Sequence, residues 1–378
     1  MGLCQMHTNF KTGDTPIFPP RNRRFIQPLG PQLQPYIKDV FWPHSRSLVA
    51  EYVSHFKYFE WTLGVVAWSN GTVNGGGFAI KTYEDLAKFV RCMEESKLCR
   101  KVEIAERLHK EFATSTQGQI LRSLDLTARL WLTLHVRSDD FPFGPGLSDT
   151  TETQWTGAMS LNGMIGESFT SSNSPPSRQE MRIDAEFTVV KLSKLCRLET
   201  HWTANLKDHL RYDQTKATLH TFPHKICLVS HLESSNIFRE GVLAETIRTL
   251  DLLFPFGHES TRKYLDKSGQ TFYQTSSRDL SRPIDFGEFH HWRKRLMDLH
   301  DVFEQAPRSV LQIWFDRRNP IQWWTFWLAA VIAVLTVVFG VISSYTGYRQ
   351  AFLAEKAHRL QVWQACSKDD PPIELCMK

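Results

Sequence analysis

The stretch QWWTFWLAAVIAVLTVVFGVISSY, Gln322 to Tyr345, decides the architecture of this 378-residue chain. No residue between Asn319 and Tyr348 carries a charge. As an α-helix, the apolar centre from Trp323 to Ile342 would measure about 30 Å, the thickness of the hydrocarbon layer of a bilayer. Core helices of soluble proteins rarely stay apolar on every face for this length. The sequence therefore predicts one transmembrane helix over 320–345.

Aromatic residues mark both ends of this apolar segment. Tryptophan and tyrosine concentrate where a transmembrane helix crosses the membrane–water interfaces, because each ring is apolar and carries one polar group. The candidate interfacial anchors are Trp323, Trp324 and Trp327 at the first end and Tyr345 and Tyr348 at the second. They favour a membrane span, and they make the lipid bilayer the first partner predicted for the chain.

A second pattern within the segment concerns contact between helices. Small side chains let two helices approach closely in lipid. Small residues recur here at steps of three and four, which places them on one face: Ala329, Ala333, Thr336, Gly340, Ser343 and Gly347. The pattern predicts a face through which the helix associates with a second copy of itself. The alternative is that small residues are simply common in membrane spans.

The charges beside the span do not decide its orientation. Three cations precede it and three follow it, so the positive-inside comparison is even. They are Arg308, Arg317 and Arg318 before the span, and Arg349, Lys356 and Arg359 after it. The start of the sequence shows no signal-peptide pattern, and a long folded region without one is more readily left in the cytosol. We therefore expect a cytosolic N-terminal region and a short tail that crosses the membrane.

Two further features bear on this orientation. Asn70 begins an Asn-Gly-Thr sequon, which would be glycosylated only if this region were lumenal. The chain has 7 cysteines, an odd number without regular spacing. That pattern argues against a disulfide framework and suits a reducing compartment for most of the chain.

Composition divides the rest of the chain into segments. Seven of the 18 prolines fall within residues 1–45, and residues 138–180 are rich in Ser, Thr, Gly and Pro. Both compositions are typical of loops or extended chain. The predicted organisation is a disordered Pro-rich lead-in (1–45), a helical subdomain (46–137), a linker or loop (138–180), a mixed, mainly helical subdomain (181–306), the transmembrane helix (320–345) and a short tail (346–378).

Hydrophobic spacing predicts mainly helices within the two subdomains. Ser47 is a candidate N-cap for a first helix, and Thr82 with Asp85 forms a capping-box pattern for a second. The segment SLDLTARLWLTLHV, Ser123 to Val136, is the strongest buried element; it reads as a helix, although its last residues also alternate as in a strand. Further helices are predicted over 203–210, 241–255 and 288–306, and short strands over 197–202 and 217–222. The fold class is mainly α with minor β.

Basic residues are too sparse to indicate a nucleic-acid-binding protein. The net charge is only +5, and the two short clusters of basic residues, at 21–24 and 293–295, form no extended stripe with interleaved aromatic residues. We therefore expect no nucleic-acid partner.

A group of histidines is the main candidate for chemistry. It comprises His201, His209, His220, His224 and His231, with Cys227 among them. Pro223 prevents His220 and His224 from sharing a helical face, and the sequence contains neither a metalloprotease pattern nor paired Cys-x-x-Cys motifs. Nucleophile-elbow, P-loop and kinase patterns are also missing. No metal site, cofactor or catalytic residue is predicted, but if the protein were an enzyme, its site would lie nearest His201–His231.

Several blocks carry a resemblance when taken in order. They are FEWTL (59–63), SLDLTARLWLTLHVR (123–137), WTANLKDHL (202–210), LAETIRTLDLLFP (243–255), FHHWRKRLMDLHDVFEQA (289–306) and IWFDRRNPIQWWTFWLAAVIAVLTVVFGVISS (313–344). Together the chain resembles a large group of uncharacterised single-span membrane proteins of filamentous fungi. That group has no assigned activity, so the resemblance implies the single span and no catalytic residues. Some of its members lie near secondary-metabolite genes.

These features lead to one functional expectation and one alternative. The expectation is a membrane-tethered, non-enzymatic binding or adaptor protein whose protein partners are unknown. The alternative is a membrane-associated enzyme or an accessory factor of a secondary-metabolite biosynthetic pathway.

Overall fold

The computed structural model describes residues 12–18, 29–69, 77–137, 151–169, 182–234, 237–238, 241–270, 272, 285–304 and 320–367. The chain forms two units, Met1–Ala306 and Pro307–Lys378. The first unit contains the buried core, and the second contains one long helix, so each is described by itself.

Helices dominate the described residues, which confirms the predicted mainly α class with minor β. The helices of the first unit are α1 (Leu33–Phe41), α2 (Val53–Ser69), α3 (Tyr83–Glu95), α4 (Lys101–Glu111), α5 (Gln117–Leu132), α6 (Leu161–Ser168), α7 (Val189–Leu195), α8 (Lys225–Ser234), α9 (Val242–Leu253), α10 (Glu259–Lys267) and α11 (Arg293–Glu304). The second unit contributes α12 (Pro320–Cys366).

Within the described residues, five short strands form two small sheets. They are β1 (Val136–Arg137), β2 (Thr153–Gln154), β3 (Glu199–Trp202), β4 (Tyr212–Asp213) and β5 (Thr218–Thr221). β1 and β2 pair in parallel. β5 lies between β3, its parallel partner, and β4, its antiparallel partner, and this register sets His201 directly opposite His220. The strands predicted at 197–202 and 217–222 are confirmed as β3 and β5.

α5 runs through the centre of the first unit. Every residue from Ser123 to Leu132 is buried, and Thr133 then takes a left-handed conformation that ends the helix (φ 52°). Leu134 and Val136 follow in extended chain and are also buried. The helix prediction for this segment is therefore confirmed up to Leu132. The strand-like alternation reflects only the residues beyond it.

The predicted capping box of α3 is confirmed, whereas the predicted cap of the preceding helix is wrong. The Thr82 hydroxyl accepts the Asp85 N–H at 3.2 Å, and Asp85 accepts the Thr82 N–H at 2.9 Å. Ahead of α2, a 3₁₀ turn (Val49–Tyr52) begins the helical segment, and Leu48 rather than Ser47 stands at its N-cap. Glu51 accepts the Leu48 N–H, so a glutamate replaces the predicted serine as the capping side chain.

Much of the predicted disordered lead-in is ordered, which corrects the description of 1–45. α1 lies within it, and the side chain of Trp42 is completely buried (0% exposed). Ile17 is also buried, and its backbone N–H bonds to the Lys81 carbonyl at 2.9 Å. Pro35 lies in the first turn of α1, where a missing backbone N–H is tolerated, so it does not prevent burial of the large apolar residues nearby.

Two other segments differ from the sequence-based description. Within the predicted linker 138–180, residues 151–169 form β2 and α6, and Trp155 is buried. The predicted helix at 203–210 is only a 3₁₀ turn, Leu206–Asp208. The Asn205 side chain competes for the local backbone by accepting the Lys207 N–H, and the Asp208 carboxylate accepts the N–H of the distant Thr151. The residues on both sides of 138–180 belong to one compact unit with one core, so this segment does not separate compact units.

α12 continues well beyond the predicted span. It contains 47 residues without interruption, which corresponds to about 70 Å at 1.5 Å per residue. A helix of about 20 residues crosses the hydrocarbon layer. The predicted tail 346–378 therefore begins as helix and stays helical through Cys366.

Candidate functional site

α12 carries the features expected of a membrane span. It is long and apolar enough to cross a bilayer, and none of its apolar window is buried within the structure. Trp323 packs its ring against Trp324 and Trp327, with centroid distances of 5.2 and 6.1 Å. At the other end, Tyr345 and Tyr348 are exposed. This arrangement supports a membrane-spanning segment with aromatic ends.

The small residues of α12 give one face of the helix no large side chains. A Cβ atom built on Gly340 or Gly347 would meet no atom within 4 Å. The Thr336 hydroxyl is bonded to the Ile332 carbonyl at 2.8 Å, so it adds no unsatisfied polar group to this face. The six-residue stripe predicted from the sequence thus stays available to another helix, and self-association through it remains a prediction.

Two histidines satisfy the end of the buried helix α5. The last four carbonyl groups of an α-helix have no partner within the helix, and burial makes an unpaired carbonyl costly. Each of these four carbonyls of α5 has a side-chain partner: Tyr58 Oη to Arg129 O (3.2 Å), His55 Nε2 to Leu130 O (3.1 Å), His231 Nε2 to Trp131 O (3.1 Å) and Thr133 Oγ1 to Leu132 O (2.6 Å). Because a carbonyl only accepts, both imidazoles must carry their proton on Nε2. These histidines therefore act as C-terminal caps.

Another histidine of the predicted group is also structural. The Phe222 N–H donates to His209 Nδ1 at 3.3 Å, so the proton of the neutral ring lies on Nε2. Nε2 then donates to the Thr249 hydroxyl at 2.7 Å. Both ring nitrogens of His209 are satisfied inside the core, where its ring packs edge-on against Trp292 at 5.1 Å.

The remaining predicted histidines fall in two places. His224 lies beside His55, with ring centroids 5.9 Å apart, and its Nδ1 contacts the Ser54 hydroxyl at 3.0 Å. His201 and His220 form a cross-strand pair with centroids 4.9 Å apart. Arg211 Nη2 lies 3.3 Å from His220 Nε2, which places a permanent cation beside this pair. Across the described residues, no group of three or more metal-ligating side chains converges.

Burial keeps the core histidines neutral. Desolvation lowers the pKa of His55 and His231 to about 4 and that of His209 to about 3. It also lowers the pKa of His135 and His224 well below the usual value for imidazole. For His209 and His135, the nearby guanidinium groups of Arg295 and Arg129 lower the pKa further. None of these groups is poised to exchange protons near pH 7, which is the property expected of a catalytic acid or base.

Sequence reasoning missed two buried charged centres. Lys101 Nζ lies 2.5 Å from Asp125 Oδ1 and 3.1 Å from the Trp155 carbonyl, and this contact joins α4, α5 and the segment after β2. Glu245, on α9, accepts the N–H groups of His290 and His291 at 2.8 Å each. Neither centre has a local spacing signal, because each charge meets its partner across the fold.

We expect Glu245→Gln to destabilise the first unit by about 1–3 kcal/mol, because a charged acceptor at the start of α11 would become neutral. Equilibrium unfolding in urea, monitored by near-UV circular dichroism, measures this change. Glu259→Gln is the matched control, since Glu259 is largely exposed (71% of its side chain) on α10. Equal unfolding midpoints for the two variants would contradict the role given to Glu245.

Some of the residues that bear on the membrane orientation are not among the described residues. Asn70 is one of the residues that the structure does not describe. Cys366 is disulfide-bonded, whereas Cys92, Cys99, Cys196 and Cys227 are not part of a disulfide. The cysteines described in the first unit thus differ in redox state from the one at the end of α12.

No family model matches this chain, and neither do any curated proteins or solved structures. Its function must therefore be argued from its own residues.

Proposed function

We propose that this protein is a membrane-tethered, non-enzymatic binding or adaptor protein. The observation that carries the proposal is α12, an apolar helix of sufficient length to cross a bilayer that follows a compact unit with its own core. Such an arrangement holds a folded module at a membrane surface. Its first partner is the lipid bilayer, and its protein partners would meet the first unit there.

The polar chemistry of the core supports a binding role over catalysis. His55, His209 and His231 use their ring nitrogens to cap or brace secondary structure. The buried Lys101–Asp125 pair and Glu245 likewise bond to neighbouring elements. These groups stabilise the fold at neutral pH. We therefore expect the protein to act through residues on its surface, where a partner can bind.

One observation favours the alternative, a membrane-associated enzyme or an accessory factor of a biosynthetic pathway. His201 is exposed beside the buried His220 and the Arg211 guanidinium. An exposed imidazole next to a guanidinium could bind an anionic substrate. This place lies within the histidine region that the sequence indicated.

Purification of the full chain from detergent-solubilised membranes distinguishes the two proposals. The adaptor proposal predicts a protein partner that co-purifies in constant ratio and persists in His201→Gln. The enzyme proposal predicts tight, stoichiometric metal or small-molecule ligand that His201→Gln removes. A chain that purifies without any protein partner after mild crosslinking in the membrane would contradict the adaptor role.

We also propose that the first unit is cytosolic and the end of α12 is not. The support is the distribution of disulfide bonding: Cys92, Cys99, Cys196 and Cys227 are outside any disulfide, as is usual in a reducing compartment, and Cys366 is disulfide-bonded. The even charge balance beside the span does not oppose this orientation.

Glycosylation tests the orientation. We expect Asn70 to carry no glycan, because the transferase acts in the lumen, whereas a sequon created by Ile373→Asn with Leu375→Ser should be modified. Mobility before and after N-glycosidase treatment measures both. A glycan on Asn70, with none on the engineered tail, would reverse the orientation.

Self-association of α12 is the third part of the proposal. Lipid tails are as apolar as leucine, so helices in a bilayer associate through close packing, for which a face of small residues is suited. We expect Gly340→Ile to weaken dimerisation about tenfold without preventing insertion, since no atom of the same chain contacts this position. Val338→Ile, on the opposite face, is the matched control. Equal dimerisation of both variants in a membrane crosslinking assay would show that the small residues form no interface.

A further inference from the structure

Most of the exposed large apolar side chains described in the first unit lie on α2, on the turn before it and on α8, which contacts that turn. Among its described residues, six large apolar side chains are exposed: Leu48, Val53, Trp61, Leu98, Leu232 and Phe256. Four of these six belong to the turn before α2, to α2 itself and to α8, and we call them the α2 patch: Leu48, Val53, Trp61 and Leu232. Single exposed apolar residues need no explanation, but a group of this kind marks an interaction site.

A hydrogen bond links the chain before α2 to α8, which carries Leu232. The Arg46 N–H donates to Glu233 Oε2 at 3.1 Å, which brings the chain next to Leu48 against the residue that follows Leu232. Along α2, Val53 and Trp61 are eight residues apart, about two turns or 12 Å, and therefore share one face. Trp61 is 46% exposed there, and Leu48 is 72% exposed.

Cations and carboxylates differ in their bonding around the α2 patch. Arg46 and Lys57 are exposed, and among the described residues neither makes an ion pair. Three nearby carboxylates each accept a backbone N–H group: Glu51 from Leu48 (2.8 Å), Glu60 from Leu29 (2.6 Å) and the exposed Glu233 from Arg46 (3.1 Å). The surface thus combines a tryptophan and aliphatic side chains with two cations and with carboxylates that are each held by a backbone N–H group.

We propose that the α2 patch docks the first unit on the surface of the phospholipid bilayer. Tryptophan and leucine enter the boundary between headgroups and acyl chains, while arginine and lysine remain at the level of the phosphates. This inference rests on the proposed membrane tether. Only the 13 residues 307–319 lie between Ala306 and α12, and a fully extended segment of this length reaches at most about 50 Å. A tether of this length raises the effective concentration of the patch at the bilayer.

Photocrosslinking in proteoliposomes tests the docking with the full chain. A phospholipid with a diazirine in its acyl chain is included at low mole fraction, and labelled tryptic peptides are quantified by mass spectrometry. We expect peptides 47–57 and 58–81 to be labelled at least fivefold above the peptides carrying Leu98 or Phe256, which are exposed but lie elsewhere. Peptides of α12 should be labelled in every case.

Substitutions then separate the docking from the tether. Leu48→Asp with Trp61→Asp should reduce labelling of peptides 47–57 and 58–81 at least fivefold and leave α12 labelled; Leu98→Asp is the matched control. Labelling of α12 alone would overturn the docking and keep the tether, whereas failure to label α12 would overturn the tether itself. Protein–protein crosslinks through the α2 patch without lipid label would assign it to a second copy or another protein and also overturn the proposal.

Discussion

Deleting residues 320–345 is expected to move the protein from the membrane fraction to the soluble fraction. The intact chain should resist extraction by carbonate and high salt, because its attachment is a helix within the hydrocarbon rather than a surface contact. The deletion should leave the first unit folded, since that unit has its own core. Fractionation, followed by immunoblotting of pellet and supernatant, measures the change.

The expected effect is large because the contributions of the apolar residues add. The centre of the span contains eleven Leu, Ile, Val or Phe residues between Trp323 and Ile342. At about −0.45 kcal/mol each, they favour insertion by about 5 kcal/mol, a partition ratio of several thousand. Docking through the α2 patch could at most leave a fraction of the deleted protein bound in a way that salt removes.

A replacement variant serves as the control for the deletion. Substituting residues 323–342 by twenty leucines should keep the protein in the carbonate-resistant pellet, because the length and apolar character remain while the small face is lost. If the deletion variant stayed resistant to carbonate, the segment would not be the anchor. If the polyleucine variant became soluble, insertion would depend on the specific residues rather than on hydrophobicity.

The sequence predicts the elements with local signals and misses those that depend on distant partners. The uncharged run over 319–348 and the capping pair Thr82–Asp85 are readable because all the residues involved are neighbours. Composition places Trp42 in a lead-in and Trp155 in a linker, because prolines or serines surround them. Both are nevertheless buried, and residues distant in sequence pack against them: His231 against Trp42 and Lys101 against Trp155. Composition gives only the average polarity of a segment. Whether the segment packs into the core depends on single large apolar residues within it.

The candidate site shows the same limit. The five histidines form one group because they are close in sequence. In the structure they have different roles and different partners. His231 and His55, which lies outside the predicted group, both cap carbonyls at the end of α5. That arrangement could not be predicted, since the backbone carbonyls of α5 give no sequence signal. The span and its aromatic ends, by contrast, depend on one continuous segment.

Acidification is expected to destabilise the first unit strongly between pH 6.5 and pH 4. His55 and His231 have pKa values of about 4 in the folded state, against about 6.5 when unfolded. The unfolded state therefore binds more protons in this interval, and the free energy of unfolding falls as the pH falls. Above pH 6.5 both states are neutral at these positions, and the full stability is present.

The magnitude is comparable to the whole stability of a domain. At pH 5 each such histidine would contribute a loss of up to about 2 kcal/mol, since one pKa unit corresponds to about 1.4 kcal/mol. The expected losses at His55, His209 and His231 add up to about 6 kcal/mol. Native domains have a free energy of unfolding of only about 5–15 kcal/mol. Urea unfolding of the full chain in nanodiscs, repeated from pH 8 to pH 4.5, should show a falling midpoint below pH 6.5.

The variant His55→Gln tests whether buried imidazoles cause this loss. Glutamine retains an N–H group near the position of Nε2, so it can still bond the Leu130 carbonyl, but it cannot bind a proton. The variant should be slightly less stable at pH 7.5 and lose less stability than the wild type between pH 6.5 and pH 5. His201→Gln removes an exposed imidazole and serves as the matched control, with a smaller change in slope expected. If the wild type unfolds at the same urea concentration at pH 5 and pH 7.5, the histidines around α5 do not govern its stability.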